Sequence, residues 1–347
     1  MTARTGQDPS PDGHGAPSPA AGAAPGPIRL GDGGLHVPGL DWWLDATEPR
    51  DVGFISHAHS DHIARHERIV CTPETAALLA VWFDAPVLPC EQLGYDDWRT
   101  LGDVRARLLP SGHILGAAMV HVEAPSGSAL YAGDVRLGGS QTCPPARLAR
   151  ADLLVIEDTF GAVDEPLLES RAAAEAMLDL VRRHRERGRT PVLVTLSNCG
   201  KAQDAVAALC AAGFAPALQT KLWRFTEAYR ELGRVTGGYR RLLHGRMNDC
   251  DVCLVTRAYL GFQDGDLSAM VADPVYILLS GWAATDERLG YDESVPWSDH
   301  ASREELLDIV RAVAPREVWT FAGTGRLARE LSAAGMAARH LEHRADA

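Results

Sequence analysis

The chain has 347 residues, 46% hydrophobic and 23% charged, enough for a sizeable core in one large or two modest domains, and no apolar run approaches the ~20 residues of a membrane helix. Its seven cysteines are odd in number and thinly spread, and the N-terminus lacks the basic and apolar regions of a signal peptide; this excludes a disulfide scaffold and leads us to expect a cytoplasmic protein. The net charge of −12 excludes a uniformly basic nucleic-acid binder, yet thirteen Lys and Arg against four acids between Arg182 and Arg246 form a local excess suited to a phosphate backbone.

Residues 1–27, rich in Ala, Pro, Gly and Ser, cannot bury enough apolar surface to offset ordering; they are expected to be a disordered tail with His14 exposed in it. Beyond them, apolar periodicity predicts a strand at Val52–Ser56, a helix at Pro73–Phe83, and strands at Val104–Leu109, Ala118–Glu123, Ala129–Ala132 and Leu153–Glu157. A helix at Leu167–Arg187, a strand at Val192–Leu196 and helices at Lys201–Ala212 and Leu222–Leu232 follow. Strands at Val252–Thr256 and Val275–Leu279, a helix at Arg303–Val313, a strand at Val318–Phe321 and a helix at Arg326–Ala334 complete the pattern. Hairpin-like strands first and strand–helix alternation later indicate a layered α/β protein.

The densest chemistry is Ser56-His57-Ala58-His59-Ser60-Asp61-His62, just past an apolar run. Imidazole nitrogens and a carboxylate at this density suit zinc or a similar divalent ion. So short a segment does not easily converge on one ion, so His57 and His59 are expected on one and Asp61 and His62 on a neighbour. Two further candidate ligands end strands beside glycines that allow close backbone approach: His113 in Gly-His-Ile-Leu-Gly, and Asp134 after Gly133, placed to bridge both ions.

This series resembles the metallo-β-lactamase fold, and the continuation resembles its β-CASP nucleases. Asp45, twelve residues before His57, is similar to the family's ligand-orienting aspartate. Ile156-Glu157-Asp158-Thr159-Phe160-Gly161 resembles the acidic strand end that opens the β-CASP insertion, Ser197-Asn198-Cys199-Gly200-Lys201 its helix start, and Pro296-Trp297-Ser298-Asp299-His300-Ala301 its closing motif. The resemblance implies an αββα sandwich of residues 28–162 and 285–347 with an α/β insertion at 163–284. It also implies one or two Zn2+ ions and hydrolysis of nucleic-acid phosphodiesters. Asp45, Asp61, Glu157 and His300 would be catalytic, with Asp158 the rival of Glu157, because only one of two adjacent strand residues faces a site. Ser197, Lys201 and Ser298 would bind substrate, phosphate at a helix N-terminus for Lys201. The phrasing is most similar to the DNA cross-link repair and ligase-associated branches, which implies DNA as substrate, a 5′ exonuclease or end-processing role, and a ligase among the partners. Ala322 occupies the position where RNA-processing members carry another metal-binding histidine, which favours DNA and leaves the second ion fewer ligands. An RNA-processing enzyme and a DNA-binding factor with weakened catalysis stay open as alternatives.

Other features read as structural. Cys250 and Cys253 are expected as buried thiols, and Trp223 and Phe225 as core. The run Arg182–Arg189 is open between backbone recognition and a solvated helix end.

Overall fold

The computed structural model describes residues 26–242, 250–262, 267, 271–285 and 290–341. The expected tail lies outside them apart from Gly26 and Pro27. Short β-rich runs first build a sheet of β1 (Arg29–Gly31), β2 (Gly34–Val37), β3 (Trp42–Leu44), β4 (Val52–Phe54), β5 (Arg68–Cys71) and β6 (Cys90–Gln92), in that spatial order. Helix α1 (Pro73–Phe83) joins the last two. It starts where Thr72 accepts the Thr75 N–H at 3.1 Å and where proline lacks only an N–H that no helix would use.

Strands β7 (Trp98–Leu101), β8 (Val104–Pro110), β9 (Ala118–Ala124), β10 (Gly127–Tyr131) and β11 (Leu153–Glu157) begin a second sheet. The chain then leaves it. Helices α2 (Ser170–Glu186), α3 (Lys201–Ala211), α4 (Thr220–Glu231) and α5 (Arg257–Phe262) alternate with β12 (Thr190–Thr195), β13 (Ala217–Leu218), β14 (Arg240–Arg241), β15 (Cys253–Thr256), β16 (Pro274–Leu279) and β17 (Glu293–Val295). These strands form a third sheet, ordered β14-β13-β15-β12-β16-β17, in which every pairing is parallel. After α6 (Arg303–Val313), the chain returns to the second sheet with β18 (Glu317–Phe321) beside β11, then α7 (Arg326–Ala333) and β19 (Ala337–His340). The outgoing and returning segments run side by side, Leu168 N–H donating to the Pro296 carbonyl at 3.2 Å.

Side-chain alternation along β11 explains the layering. Leu153 and Val155 pack with Phe54 and Val70 of the first sheet, whereas Leu154 and Ile156 pack with Ile309 and Val313 of α6 and Leu327 of α7. The outer face of the first sheet, through Ile69 and Cys71, is covered by Leu78 and Leu79 of α1. The order is therefore helix, sheet, sheet, helix. The same apolar cluster continues into Met177, Leu193, Phe225 and Ile277, which fastens the third sheet and its helices onto α1.

Helices 73–83 and 303–313 and strand 153–157 stand at the expected residues, and the other predicted elements shift by a few. Among the described residues, ten further strands have no counterpart in the pattern, because runs of two to four residues are too short to show a period. Strand β17 pairs with β16, so the third sheet extends past residue 284. Cys250 and Cys253 are buried free thiols, Phe225 is fully buried, and Trp223 packs partly buried against the core. Arg182–Arg189 end α2 and lead into the start of β12, whereas the pocket described below lies past the strand's other end; Arg182, Arg185 and Arg189 pair with Asp179, Asp251 and Asp273 at 3.2, 2.7 and 3.4 Å. These arginines therefore sit at a helix end, partly exposed and paired with acids.

Candidate functional site

The loops that follow β3, β4, β8, β10 and β17 and the last residue of β11 meet at one end of the two packed sheets. Asp45, held at a positive φ of 46°, aims its carboxylate across this end. Oδ1 accepts the Ser56 N–H at 2.7 Å; Oδ2 accepts the Ser56 and Tyr131 hydroxyls at 2.6 and 2.7 Å and His62 Nδ1–H at 3.0 Å. With its proton committed to Asp45, the Ser56 hydroxyl accepts His57 Nδ1–H at 2.9 Å. Asp45 thus orients two imidazoles, one directly and one through Ser56.

The other ligand candidates are oriented by main-chain carbonyls. His59 Nε2 donates to Cys199 O at 3.2 Å and His113 Nδ1 to Asp299 O at 2.7 Å. That leaves His59 Nδ1 and His113 Nε2 facing each other at 3.0 Å. Two neutral imidazoles with their protons already committed offer only lone pairs there, which a shared cation would stabilise. His57 Nε2 is wholly buried with no hydrogen-bond partner among the described residues. Asp134 stands at the centre: its Oδ2 lies 3.4, 3.5 and 3.6 Å from Nε2 of His57, His62 and His113, and 3.8 Å from His300 Nδ1. One donor atom each from His57, His59, His113 and Asp134 lie within 4.8 Å of one another, as do those of Asp45, His57 and His62, and those of Asp134, Glu157 and His300. This chemistry fits divalent cations.

Burial and the neighbouring charges together set the protonation of the site. Burial and the neighbouring imidazoles hold His57 and His113 well below the usual histidine range. Burial also opposes charge on His62, but Asp134 and Asp45 outweigh it and push the group up to about 10. His300 reaches about 10 in the same way, through Glu157 and Asp134. Burial raises Asp134 to about 7 even though His62 pulls it down.

Glu157 and Asp158 face opposite ways. Glu157 accepts Val135 N–H and His300 Nδ1–H, both at 2.7 Å, whereas Asp158 accepts the Leu327 N–H at the start of α7 at 3.4 Å. Asp61 is not in these three donor sets; its side chain is 78% exposed, but its Oδ2 lies beside His62, 3.7 Å from Nε2. A cavity of about 240 Å³ opens beside His59, Asp61 and His300. Its far wall is Leu196–Asn198 and Ser280–Trp282, just past the carboxyl ends of β12 and β16, where parallel sheets commonly bind ligands.

Of the expected substrate-binding residues, Ser197 lines the cavity and donates to Cys199 O at 2.9 Å. Ser298 also lines it, its hydroxyl accepting His300 N–H at 2.9 Å. Lys201 reaches the wall but is buried, its ammonium 3.0 Å from Asp299 Oδ1. Asp299, Tyr131 and the Cys199 carbonyl are orienting groups that sequence reasoning did not single out. Asp299 sits inside the closing motif and Cys199 inside the helix-start motif, but nothing local marks Tyr131.

The loop carrying His113 depends on Gly112, whose φ is +78° and whose added Cβ would fall 1.9 Å from the Arg136 carbonyl. Gly112→Ala is expected to lower the unfolding free energy by about 2–4 kcal/mol, from backbone strain and overpacking together. Denaturant titration measures this; a loss below about 1 kcal/mol, that of an ordinary surface change, would contradict it.

Over 305 residues, 84% of its length, the chain is 32% identical to a probable DNA ligase from Opitutus terrae, of which the match takes in 28%. An RNase J-like protein of Methanocaldococcus jannaschii is 27% identical over 44% of this chain and 42% of its own length. The 5′ exonuclease Apollo of Gallus gallus is 31% identical over 44% of this chain and 36% of its own. The chain thus spans less than half the length of these curated relatives. A solved protein of unknown function from Enterococcus faecalis shares the fold, with TM-score 0.55 and 15% identity over 85% of this chain and 80% of that one. No protein-family model matches.

Proposed function

The chain belongs to the β-CASP family of the metallo-β-lactamase fold, and from that premise we propose that it is a metal-dependent phosphodiester hydrolase acting on DNA, a 5′ exonuclease or end-processing nuclease of repair. The observation that carries this reading is the single carboxylate oxygen of Asp134 within 3.8 Å of four imidazoles beside an open cavity. His57, His59 and His113 would hold one ion and His62 with Asp61 the other, Asp134 bridging, with zinc the metal that this donor set suits. Such ions supply charge neutralisation at the phosphate and a water acidified towards neutrality.

The chain's own residues then have separable tasks. Asp45 and the Cys199 and Asp299 carbonyls fix imidazole orientation, so that little reorganisation accompanies reaction. Glu157 holds His300 through Nδ1, leaving Nε2–H to donate to a phosphate or leaving oxygen in the cavity. Ser197 and Ser298 line the path of the substrate. In this reading the sandwich is residues 28–162 and 285–347 and the insertion is 163–284, except that β17 (Glu293–Val295) pairs into the insertion's sheet and belongs with it.

Two observations support DNA. The match to the probable DNA ligase runs over 84% of this chain against 44% for the RNase J-like protein, and Ala322 stands where the RNA-processing pattern has a histidine. A ligase joining the same ends is the partner implied, and a cytoplasmic location agrees with the thiol usage. The test is hydrolysis of matched 5′-labelled single-stranded DNA and RNA by one preparation with its metal content measured. DNA is expected to be cut at least roughly tenfold faster, a preference of about 1.4 kcal/mol in the barrier. Faster cutting of RNA would reverse the assignment, and tight binding without turnover would replace it with the repair-factor reading.

A further inference from the structure

We propose that Trp282 is a stacking platform for a nucleobase next to the scissile phosphate, so that the enzyme selects unpaired nucleotides; this rests on the pocket being a phosphodiester-hydrolysing site. The placement begins with Gly281, just past β16. A Cβ there would lie 2.5 Å from Phe160 Cζ and 2.9 Å from Ser298 Cβ, so only glycine lets the turn press against both. That close pass sets the Trp282 ring on Phe160, with centroids 4.7 Å apart and planes at 45°. Phe160 in turn meets the His300 ring edge-on at 6.0 Å. The indole is therefore two rings away from the catalytic imidazole.

Phe160 is buried, but Trp282 is 41% exposed. Trp82, the other indole of the cavity, is already engaged: Nε1–H donates to Ala58 O at 2.7 Å and the Lys221 ammonium caps its ring at 3.5 Å. No ring or cation among the described residues covers the outer face of Trp282. A half-bare indole beside Leu196, itself 44% exposed, gives the cavity an exposed apolar lip opposite its Asp and His side chains. The ligand that satisfies both surfaces carries a flat aromatic face about one sugar away from an anion, which is the chemistry of a nucleotide. A base can reach the indole only after leaving its own helix, so unpaired or frayed ends are favoured.

The experiment compares 5′-phosphorylated single-stranded oligonucleotides that are normal or lack bases at the first three positions. Wild-type protein, Trp282→Ala and Trp282→Phe are measured with zinc present. Wild type is expected to show kcat/KM roughly tenfold or more in favour of normal ends, the worth of about one stacked base. Trp282→Ala should lose that preference while its rate on base-free ends stays within about threefold of wild type, which also shows that the site is intact. Trp282→Phe should keep most of the preference. If Trp282→Ala slows both substrates equally, or leaves the preference untouched while hydrolysis proceeds, the platform is overturned. If wild type hydrolyses neither oligonucleotide, the hydrolase reading falls and the platform falls with it.

Discussion

Asp134→Ala is expected to lower phosphodiester hydrolysis by about 10³-fold or more and to weaken sharply the stabilisation of the fold by added zinc. The variant removes the one oxygen that lies within 3.8 Å of four imidazoles, and with it the bridge between the donor sets. Losing charge stabilisation of several kcal/mol at the phosphate corresponds to three or more decades in rate. The orienting contacts at Asp45, Cys199 and Asp299 are untouched, so the imidazoles stay in place and the effect is not one of misfolding. A ligand that binds only the folded state at about 1,000 times its dissociation constant stabilises by about 4 kcal/mol. Wild-type protein should therefore melt at a lower temperature after chelation and recover with zinc, and Asp134→Ala should respond weakly to either. Hydrolysis within about tenfold of wild type, or an undiminished zinc response, would rule out the bridging role.

Lys201→Met is expected to destabilise the fold by about 3–5 kcal/mol, the loss typical when one partner of a buried ion pair is removed. Lys201 and Asp299 are both buried and 3.0 Å apart, so the variant strands a carboxylate away from water. Asp299 also supplies the carbonyl that orients His113, and Cys199, two residues before Lys201, supplies the one that orients His59. Loosening this strut should weaken zinc binding by roughly 10–100-fold, as loss of such outer partners does. Adding Asp299→Asn, which removes the stranded charge, should recover part of the stability. Denaturant unfolding and zinc titration read the two effects separately. A lysine whose task was to grip substrate phosphate would behave otherwise: its loss would raise KM and leave stability and zinc affinity unchanged.

The contrast between these residues shows where sequence reasoning reaches. His57, His59, Asp61 and His62 occupy one turn after one strand, so their proximity follows from chain connectivity, whatever the rest of the fold does. The choice between Glu157 and Asp158 reduces to the two-residue alternation of a strand, although which face held the site depended on the neighbours. The layered α/β class was readable because β8 and β9 alternate in part, β11 is a continuous apolar run and the longer helices carry a helical period. The short edge strands were not, having too few residues to show one.

Partners far apart along the chain were settled by packing alone. His113 meets Asp299 across 186 residues, His59 meets Cys199 across 140 and Lys201 meets Asp299 across 98. Hydrogen bonds of that span exist only once the third sheet has docked and the chain has returned from β17 towards the second sheet, and no local pattern encodes either step. Topology likewise put Arg182–Arg189 at the amino-terminal edge of the parallel sheet and Trp282 at the carboxyl-terminal edge, by the cavity. Residue types and spacing along the chain settled which atoms can bind a cation. Which cation of the chain is sequestered in a buried pair, and which aromatic face stays bare, depended on burial, a property of the folded surface.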